Sequence, residues 1–134
     1  MPAANDKITL EALNEDGTVE QVEIRFGADG LLPVVVQEAG TLAVLLVAFM
    51  NREAFEKTRE TGLAHFWSRS RQELWLKGAT SGDYLKVESL AVNCEENSLL
   101  LKVRLLGNAA CHTGHRSCYY RELAPGAARP QNPA

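Results

Sequence analysis

The sequence lacks several features that would assign it to particular protein classes. Its 134 residues contain only three cysteines, an odd number that leaves one thiol unpaired in any disulfide scaffold. The net charge is −3, without the basic excess that nucleic-acid binding requires. The longest apolar run, TLAVLLVAFM at residues 41–50, is about half the length of a membrane span. We therefore expect neither nucleic acid nor a membrane as a partner.

The first residues also lack the charged and then apolar segments of a secretory signal. We therefore expect a cytoplasmic protein, in which disulfides are disfavoured and clustered cysteine and histidine more often bind metal. The length is that of one domain with its own hydrophobic core. We expect flexible ends at residues 1–6 and 123–134 around a single domain at residues 7–122.

Alternating apolar and polar residues predict β-strands along most of the chain. KITLEAL and VEQVEIRF flank a turn sequence and predict a hairpin at residues 7–26. Residues 51–62 predict the main helix, with Asn51 as its N-cap and Gly62 just past its end. The other predicted strands are LLPVVVQ, TLAVLLVAFM, HFWS, LWLK and a second hairpin of YLKVESLAVNC and SLLLKVRLL. The expected class is α+β, a strand-dominated single domain with one main helix.

The segment CHTGHRSC, residues 111–118, concentrates two cysteines and two histidines. Together with Cys94 it supplies three thiols, the number of protein ligands in a catalytic zinc site that keeps one position open for water. The same residues would also suit a structural site closed by His112 or His115, and Cys94 would also suit the core as a small buried residue. In a catalytic site, His112, His115 or His65 would carry the proton of the activated water. The spacing leaves these alternatives open.

A second cluster lies in WSRSRQELWLKG, residues 67–78, and in the loop after it. Arg69 and Arg71 alternate with serines, so if this segment were a strand both guanidinium groups would share one face. Guanidinium, ammonium and hydroxyl groups bind phosphate, and tryptophan stacks on planar bases. The other members of the cluster are Lys77, Thr80, Ser81, Trp67 and Trp75. The alternative is a solvated charged strand with two core tryptophans.

The third cluster surrounds the first cysteine. Asn93, Glu95, Glu96 and Asn97 place oxygen atoms beside Cys94, and oxygen atoms are the ligands that Mg²⁺ prefers. An acidic hairpin turn that faces water is the other interpretation of the same residues.

Together the three clusters resemble those of the phosphoribosyl-AMP cyclohydrolases, enzymes of histidine biosynthesis. The matching stretches, in the family's order, are LLPVVVQE, VAFMNREAFEKTRETGLAHFWSRSR, ELWLKGATSG and CHTGHRSCYYRE. The resemblance implies a zinc-dependent hydrolase that opens the adenine ring of 1-(5-phosphoribosyl)-AMP between N1 and C6. It also implies an intertwined homodimer with the zinc site at the subunit interface.

The resemblance further implies a role for individual residues. The zinc ligands would be Cys94, Cys111 and Cys118, and the catalytic proton carriers would be His112 and His65. The three positions that the family gives to magnesium-associated aspartates hold Asn93, Glu95 and Asn97 here, which predicts a degenerate Mg²⁺ site. The implied substrate-binding residues are Trp67, Arg69, Arg71, Lys77, Thr80, Ser81 and Arg116.

The chain departs from the family pattern in three further places. Leu85 stands where glutamine is usual, His115 stands where arginine is usual, and the hairpin at residues 7–26 is longer than the family's lead-in. Two alternatives to the cyclohydrolase therefore remain. One is a divergent paralogue that acts on another phosphorylated purine-like ring, and the other is a non-enzymatic zinc-binding protein on the same fold.

Overall fold

The computed structural model describes residues 7–125, so residues 1–6 and all but the first three residues of the flexible tail expected at residues 123–134 lie outside that range. The described chain forms one helix, α1 (Arg52–Thr61), and eight strands. The strands are β1 (Lys7–Leu13), β2 (Val19–Arg25), β3 (Leu32–Glu38), β4 (Val44–Met50), β5 (His65–Ser68), β6 (Glu73–Leu76), β7 (Leu85–Val92) and β8 (Leu99–Leu105). The predicted strand-dominated α+β class with one main helix is confirmed.

A four-stranded sheet in the order β4-β3-β8-β7 forms the centre of the structure. Its central pair, β3 and β8, is parallel, with Val34 opposite Leu99 and Glu38 opposite Val103. The outer pairs are antiparallel. The parallel pairing joins strands that are far apart in sequence, and alternation within each strand did not predict it.

Helix α1 has the limits that its capping residues predict. The Asn51 side-chain oxygen accepts a hydrogen bond from the Ala54 backbone N–H at 2.8 Å. Gly62 ends the helix in the left-handed region, with φ of 78°. Ala54, Phe55 and Thr58 are buried against the core. The described part of the chain has no helix with the length and apolar character of a membrane span.

The hairpin of β5 and β6 shows where the two arginines of the second cluster lie. Arg69 and Arg71 do not share a strand face, because β5 ends at Ser68 and residues 69–72 form the turn to β6. The Ser68 hydroxyl accepts a hydrogen bond from the Arg71 N–H at 3.2 Å, and Gln72 has a φ of 53°. Serine side chains that bond the backbone favour turns over strands, so the Arg-Ser alternation did not indicate a strand here.

The predicted hairpin at residues 7–26 is confirmed, and it packs against the turn between β7 and β8. The Glu96 carboxylate accepts a hydrogen bond from the Glu23 backbone N–H at 2.9 Å and pairs with the Arg25 guanidinium at 3.4 Å. The Glu96 carbonyl also accepts from the Arg25 N–H at 2.8 Å. One glutamate of the VNCEEN segment therefore holds the N-terminal hairpin in place.

Glu96→Ala is expected to loosen this hairpin selectively. Loss of a hydrogen-bonded carboxylate costs about 1 kcal/mol, which corresponds to roughly fivefold faster amide exchange in β1 and β2 with little change in β3 and β8. Hydrogen exchange measured by mass spectrometry checks this, with the exposed neighbour variant Glu95→Ala as the control. Equal exchange in the two variants would show that Glu96 does not anchor the hairpin.

Candidate metal centre

The segment CHTGHRSC folds as a tight backbone hairpin. The Cys111 N–H donates to the His115 carbonyl at 3.1 Å, and the Ala110 N–H donates to the Arg116 carbonyl at 3.0 Å. The Gly114 N–H closes the turn by donating to the Cys111 carbonyl at 3.0 Å. Gly114 has a φ of 92°, a conformation that residues with a Cβ rarely adopt. The glycine therefore permits the reversal that faces Cys111 toward His115.

Residues after this turn fasten the segment to the sheet where β3 ends and β4 begins. The Cys118 N–H donates to the Leu45 carbonyl at 2.7 Å, and the Ser117 hydroxyl donates to the Val44 carbonyl, also at 2.7 Å. The Arg116 guanidinium forms an ion pair with the carboxylate of Glu38, whose side chain is nearly fully buried. Both cysteines of the segment are thereby held at one end of the central sheet.

The Cys111 and Cys118 thiols lie close enough for each to shift the pKa of the other. Hydrogen bonds from the Thr113 side chain and backbone lower the pKa of the Cys111 thiol. Burial raises the pKa of the Cys118 thiol, and its hydrogen bond to Cys111 raises that pKa further. The buried cation of Lys77 favours the thiolate form of both. The pair is therefore a two-sulfur donor set in which Cys111 loses its proton more readily than Cys118, and sulfur donors suit a soft cation such as zinc.

Cys94 is not part of this pair. It lies in the turn before β8, beside Leu99, whereas the thiol pair lies beside Glu38, which is opposite Val103. Leu99 and Val103 are four positions apart along β8, which corresponds to a rise of about 13 Å. Two sulfurs on one zinc are at most about 4.6 Å apart. Accordingly, no group of three or more histidine, cysteine or acidic side chains within residues 7–125 is placed to hold a metal.

A cavity of about 980 Å³ adjoins Cys94 instead. Its walls come from the N-terminal hairpin, α1, β7 and the following turn, with apolar side chains such as Leu10, Val22, Phe55 and Leu90. Cys94 is exposed at this cavity, so its thiol is accessible from outside the chain.

The two histidines predicted to carry a proton have different surroundings. His65 is buried, and its Nδ1 lies 2.9 Å from the Leu63 carbonyl, which can only accept. Nδ1 is therefore the donor, and in the neutral ring Nε2 has the free lone pair. His112 is exposed in the turn that immediately follows Cys111. The structure thus places His112 beside the thiol pair and fixes the tautomer of His65.

The predicted substrate-binding residues divide between the two ends of the β5–β6 hairpin. Arg69, at the turn, stacks its guanidinium over the Phe49 ring at 3.9 Å, and Arg71 is exposed beside it. Thr80 and Ser81 are exposed in the loop after β6. In residues 7–125, no hydrogen bond or ion pair joins these two groups.

The tryptophans lie on opposite faces of this hairpin. Trp67 is two residues from His65 on β5, so the two side chains share a face. Trp75 lies on the other face, 5.7 Å from the Phe66 ring and 5.6 Å from the Lys77 Nζ. Trp67 is therefore the tryptophan that accompanies a predicted catalytic residue.

The predicted magnesium residues are engaged in turn formation. The Asn93 Nδ2 donates to the Asn97 Oδ1 at 2.7 Å, and the Asn93 Oδ1 accepts from the Asn97 and Ser98 N–H groups, both at 2.9 Å. Glu96 holds the N-terminal hairpin. Of this cluster, only Glu95 presents an exposed carboxylate, so the donor set does not fit a hard dication.

Sequence reasoning missed two residues of the candidate metal centre, Thr113 and Tyr120. The Thr113 hydroxyl lies 2.9 Å from the Cys111 Sγ, and the Tyr120 ring stacks on His115 with centroids 3.5 Å apart. The only signal for Thr113 was its place two residues after a candidate ligand in a glycine turn.

Comparison with known proteins shows where this arrangement belongs. The family described as PRA-CH, phosphoribosyl-AMP cyclohydrolase, matches residues 46–120, more than half of the chain. The chain belongs to the phosphoribosyl-AMP cyclohydrolase family. The match runs from β4 to the residues after Cys118, so it includes all three cysteines and leaves β1, β2 and β3 outside.

Individual relatives agree with this membership. A phosphoribosyl-AMP cyclohydrolase of Desulfatibacillum aliphaticivorans is 59% identical over 92 residues, 69% of this chain and 74% of the relative. One from Erythrobacter litoralis is 53% identical over 113 residues, 84% of this chain and 88% of the relative. The histidine biosynthesis bifunctional protein HisIE of Gloeobacter violaceus is 56% identical over 100 residues, 75% of this chain and 46% of the relative. The expected family and the expectation of an enzyme are confirmed.

The Glu38–Arg116 pair gives this cyclohydrolase family member a pH-dependent anchor. The Arg116 hydrogen bond, with help from Thr41, lowers the pKa of the Glu38 carboxyl. The pair therefore stabilises the fold at neutral pH, and this contribution is lost as the pH falls through the lowered pKa. Glu38→Gln should reduce the free energy of unfolding by about 1–2 kcal/mol at neutral pH, a value discounted for the half-exposed Arg116.

Urea unfolding of both proteins at neutral pH and below about pH 4 measures this difference, which should shrink at the lower pH. Glu15→Gln, at an exposed turn position, is the control and should leave stability unchanged at both. A Glu38→Gln effect that is independent of pH would contradict the account.

Proposed function

We propose that this chain is a zinc-dependent phosphoribosyl-AMP cyclohydrolase, which opens the adenine ring of 1-(5-phosphoribosyl)-AMP between N1 and C6 in histidine biosynthesis. The observation that carries the proposal is the Cys111–Cys118 thiol pair, held on the sheet within the region that matches the family. The curated names of the relatives supply the substrate and the pathway.

The thiol pair fits zinc in ligand chemistry, and Cys94 of the partner subunit is the proposed third ligand. When bound there, zinc supplies a Lewis acid that activates water for attack on the electron-poor ring carbon. Cys94 is exposed, and in its own chain it lies at the opposite sheet end from the thiol pair. A second copy of the chain is the simplest source of the missing thiol.

Exposed apolar side chains near the thiol pair support the proposed homodimer. Val47 on the edge strand β4 is 46% exposed, and Tyr119 and Leu123, shortly after Cys118, are 62% and 91% exposed. Burial of such side chains against a second copy would stabilise the dimer. Three reduced thiols without a disulfide are also consistent with the proposed cytoplasmic location.

The β5–β6 hairpin is proposed to bind the substrate between its two ends. Four residues of β6 place the arginine turn about 13 Å from the loop of Thr80 and Ser81. The substrate carries one phosphate on each ribose, so each end of the hairpin would hold one phosphate group. Trp67 lies on β5 between the two ends of the hairpin, on the same face as His65, and is proposed to pack against the base.

The positions of the two histidines support one proton carrier and one residue that orients the base. His112, exposed beside Cys111, is proposed to take the proton from the attacking water. His65, whose Nδ1 is bound to the Leu63 carbonyl, presents Nε2 on the face of Trp67 and is proposed to orient the base. Arg116 is already paired with Glu38 in this chain, so its proposed contact with substrate would be made beside that ion pair. No step is assigned to Mg²⁺ at Asn93, Glu95 and Asn97, because the Asn93 and Asn97 side chains close the turn and only the Glu95 carboxylate is left exposed.

The proposal predicts metal content and turnover together. Purified protein should contain about one zinc per chain and convert phosphoribosyl-AMP to the ring-opened product, followed by absorbance. Cys94→Ser, Cys111→Ser and Cys118→Ser should each lose most of the zinc and nearly all turnover. Circular dichroism should confirm that each variant is folded.

Full zinc occupancy in the Cys94 and Cys111 variants would refute the ligand assignment. A wild-type protein that holds zinc but leaves phosphoribosyl-AMP unchanged would instead support the paralogue that acts on another phosphorylated purine-like ring. A fourth protein ligand closing the zinc would support the non-enzymatic alternative.

A further inference from the structure

A continuous series of side-chain contacts leads from the buried Cys111 to exposed residues of the same segment and the residues after it. The Cys111 Sγ lies 2.9 Å from the Thr113 Oγ1, which lies 3.0 Å from the His115 Nδ1. The His115 ring in turn stacks on the Tyr120 ring, with an angle of 2° between the planes. Neither the thiol pair nor the proposed reaction requires these three residues.

The chemistry of the groups fixes the direction of these hydrogen bonds when a metal is bound. A thiolate on a metal can only accept, so the single hydroxyl proton of Thr113 must point to the Cys111 sulfur. The Thr113 oxygen is then free to accept, and the His115 Nδ1 must be the N–H donor. The contacts therefore form one directed series, from His115 through Thr113 to the Cys111 sulfur.

The backbone and the stack hold this series in place. Hydrogen bonds between Cys111 and His115 across the glycine turn set the separation of the two residues that Thr113 bridges. An exposed imidazole would otherwise rotate freely. The parallel Tyr120 ring restricts it to one plane, and within that plane the contact with the Thr113 Oγ1 selects the orientation that presents Nδ1. The donor is thus already oriented before a metal arrives.

We propose that Thr113 and His115 are positioning residues for the metal-binding thiolate of Cys111, and that Tyr120 holds the His115 ring in the plane from which Nδ1 reaches Thr113. A hydrogen bond to a ligating sulfur orients its lone pairs and tunes its bond to the metal. The proposal rests on the proposed function in one respect only, that Cys111 is a zinc ligand. It assigns neither residue a contact with substrate or metal.

Zinc affinity of the purified protein, measured by competition with a chromophoric chelator, tests the Thr113 role. Thr113→Val keeps the shape of the side chain but removes the hydroxyl, and it should weaken zinc binding about tenfold. Thr113→Ser keeps the hydroxyl and should bind zinc nearly as tightly as the unchanged protein. Equal affinity in Thr113→Val and Thr113→Ser would overturn the proposal.

A second pair of variants tests His115. His115→Phe keeps a ring to stack on Tyr120 but has no donor, and it should weaken zinc binding by a similar factor. His115→Asn keeps an N–H donor near the position of Nδ1 and should bind more tightly than His115→Phe. If His115→Phe binds zinc as tightly as the unchanged protein, the histidine has no positioning role.

Cobalt in place of zinc gives a readout that a general loss of stability would not produce. Removal of the hydrogen bond raises the energy of the sulfur electrons, so the thiolate-to-cobalt charge-transfer band of Thr113→Val should shift to longer wavelength, whereas that of Thr113→Ser should not. An unshifted band in Thr113→Val would contradict the proposed hydrogen bond. Failure of the unchanged protein to bind zinc would refute the proposed function itself, a result distinct from the outcomes above.

Discussion

The parallel pairing of β3 with β8 determines which cysteines of one chain can contribute to the proposed metal centre. It aligns the start of β8 with the start of β3, so the turn that contains Cys94 lies at one end of the sheet. The segment with Cys111 and Cys118 is fastened at the other end, where β3 gives way to β4. Because zinc–sulfur bonds are about 2.3 Å long, one chain cannot bring its three thiols to one ion without dismantling its central sheet.

Local hydrogen bonds and an ion pair hold the Cys111–Cys118 pair in a fixed position on the sheet. Ser117 and Cys118 bind the backbone of β4, and Arg116 pairs with the buried Glu38, so the thiol pair has little freedom relative to the sheet. On its outer side the same segment orders itself through Thr113, His115 and Tyr120. Two of the three proposed zinc ligands are thus preorganised within each chain. The third, Cys94, is exposed at the cavity beside the N-terminal hairpin.

The secondary structure was largely predictable from the sequence because its signals are local. Asn51 and Gly62 delimit the helix, and the alternation in β1, β2, β7 and β8 predicts both hairpins. The β3–β8 pairing was not predictable, since it joins residues about sixty positions apart. The Arg-Ser alternation at Arg69 and Arg71 does not form a strand, because the Ser68 hydroxyl stabilises a turn there. Residue spacing also does not predict how far Cys94 lies from the thiol pair, nor the contact between Thr113 and His115. Both depend on how the chain folds.

Two subunits are proposed to share each zinc site, and subunit complementation tests this sharing most directly. Cys94→Ser and Cys111→Ser proteins, each inactive alone, are mixed in equal amounts, unfolded and refolded together. In a symmetric dimer with shared sites, half of the refolded dimers are mixed and each contains one intact site, so about one quarter of the wild-type zinc and turnover should return. A mixture of Cys111→Ser with Cys118→Ser assembles no intact site and should recover neither. Absence of recovery in the first mixture, with mixed dimers present, would contradict the shared site.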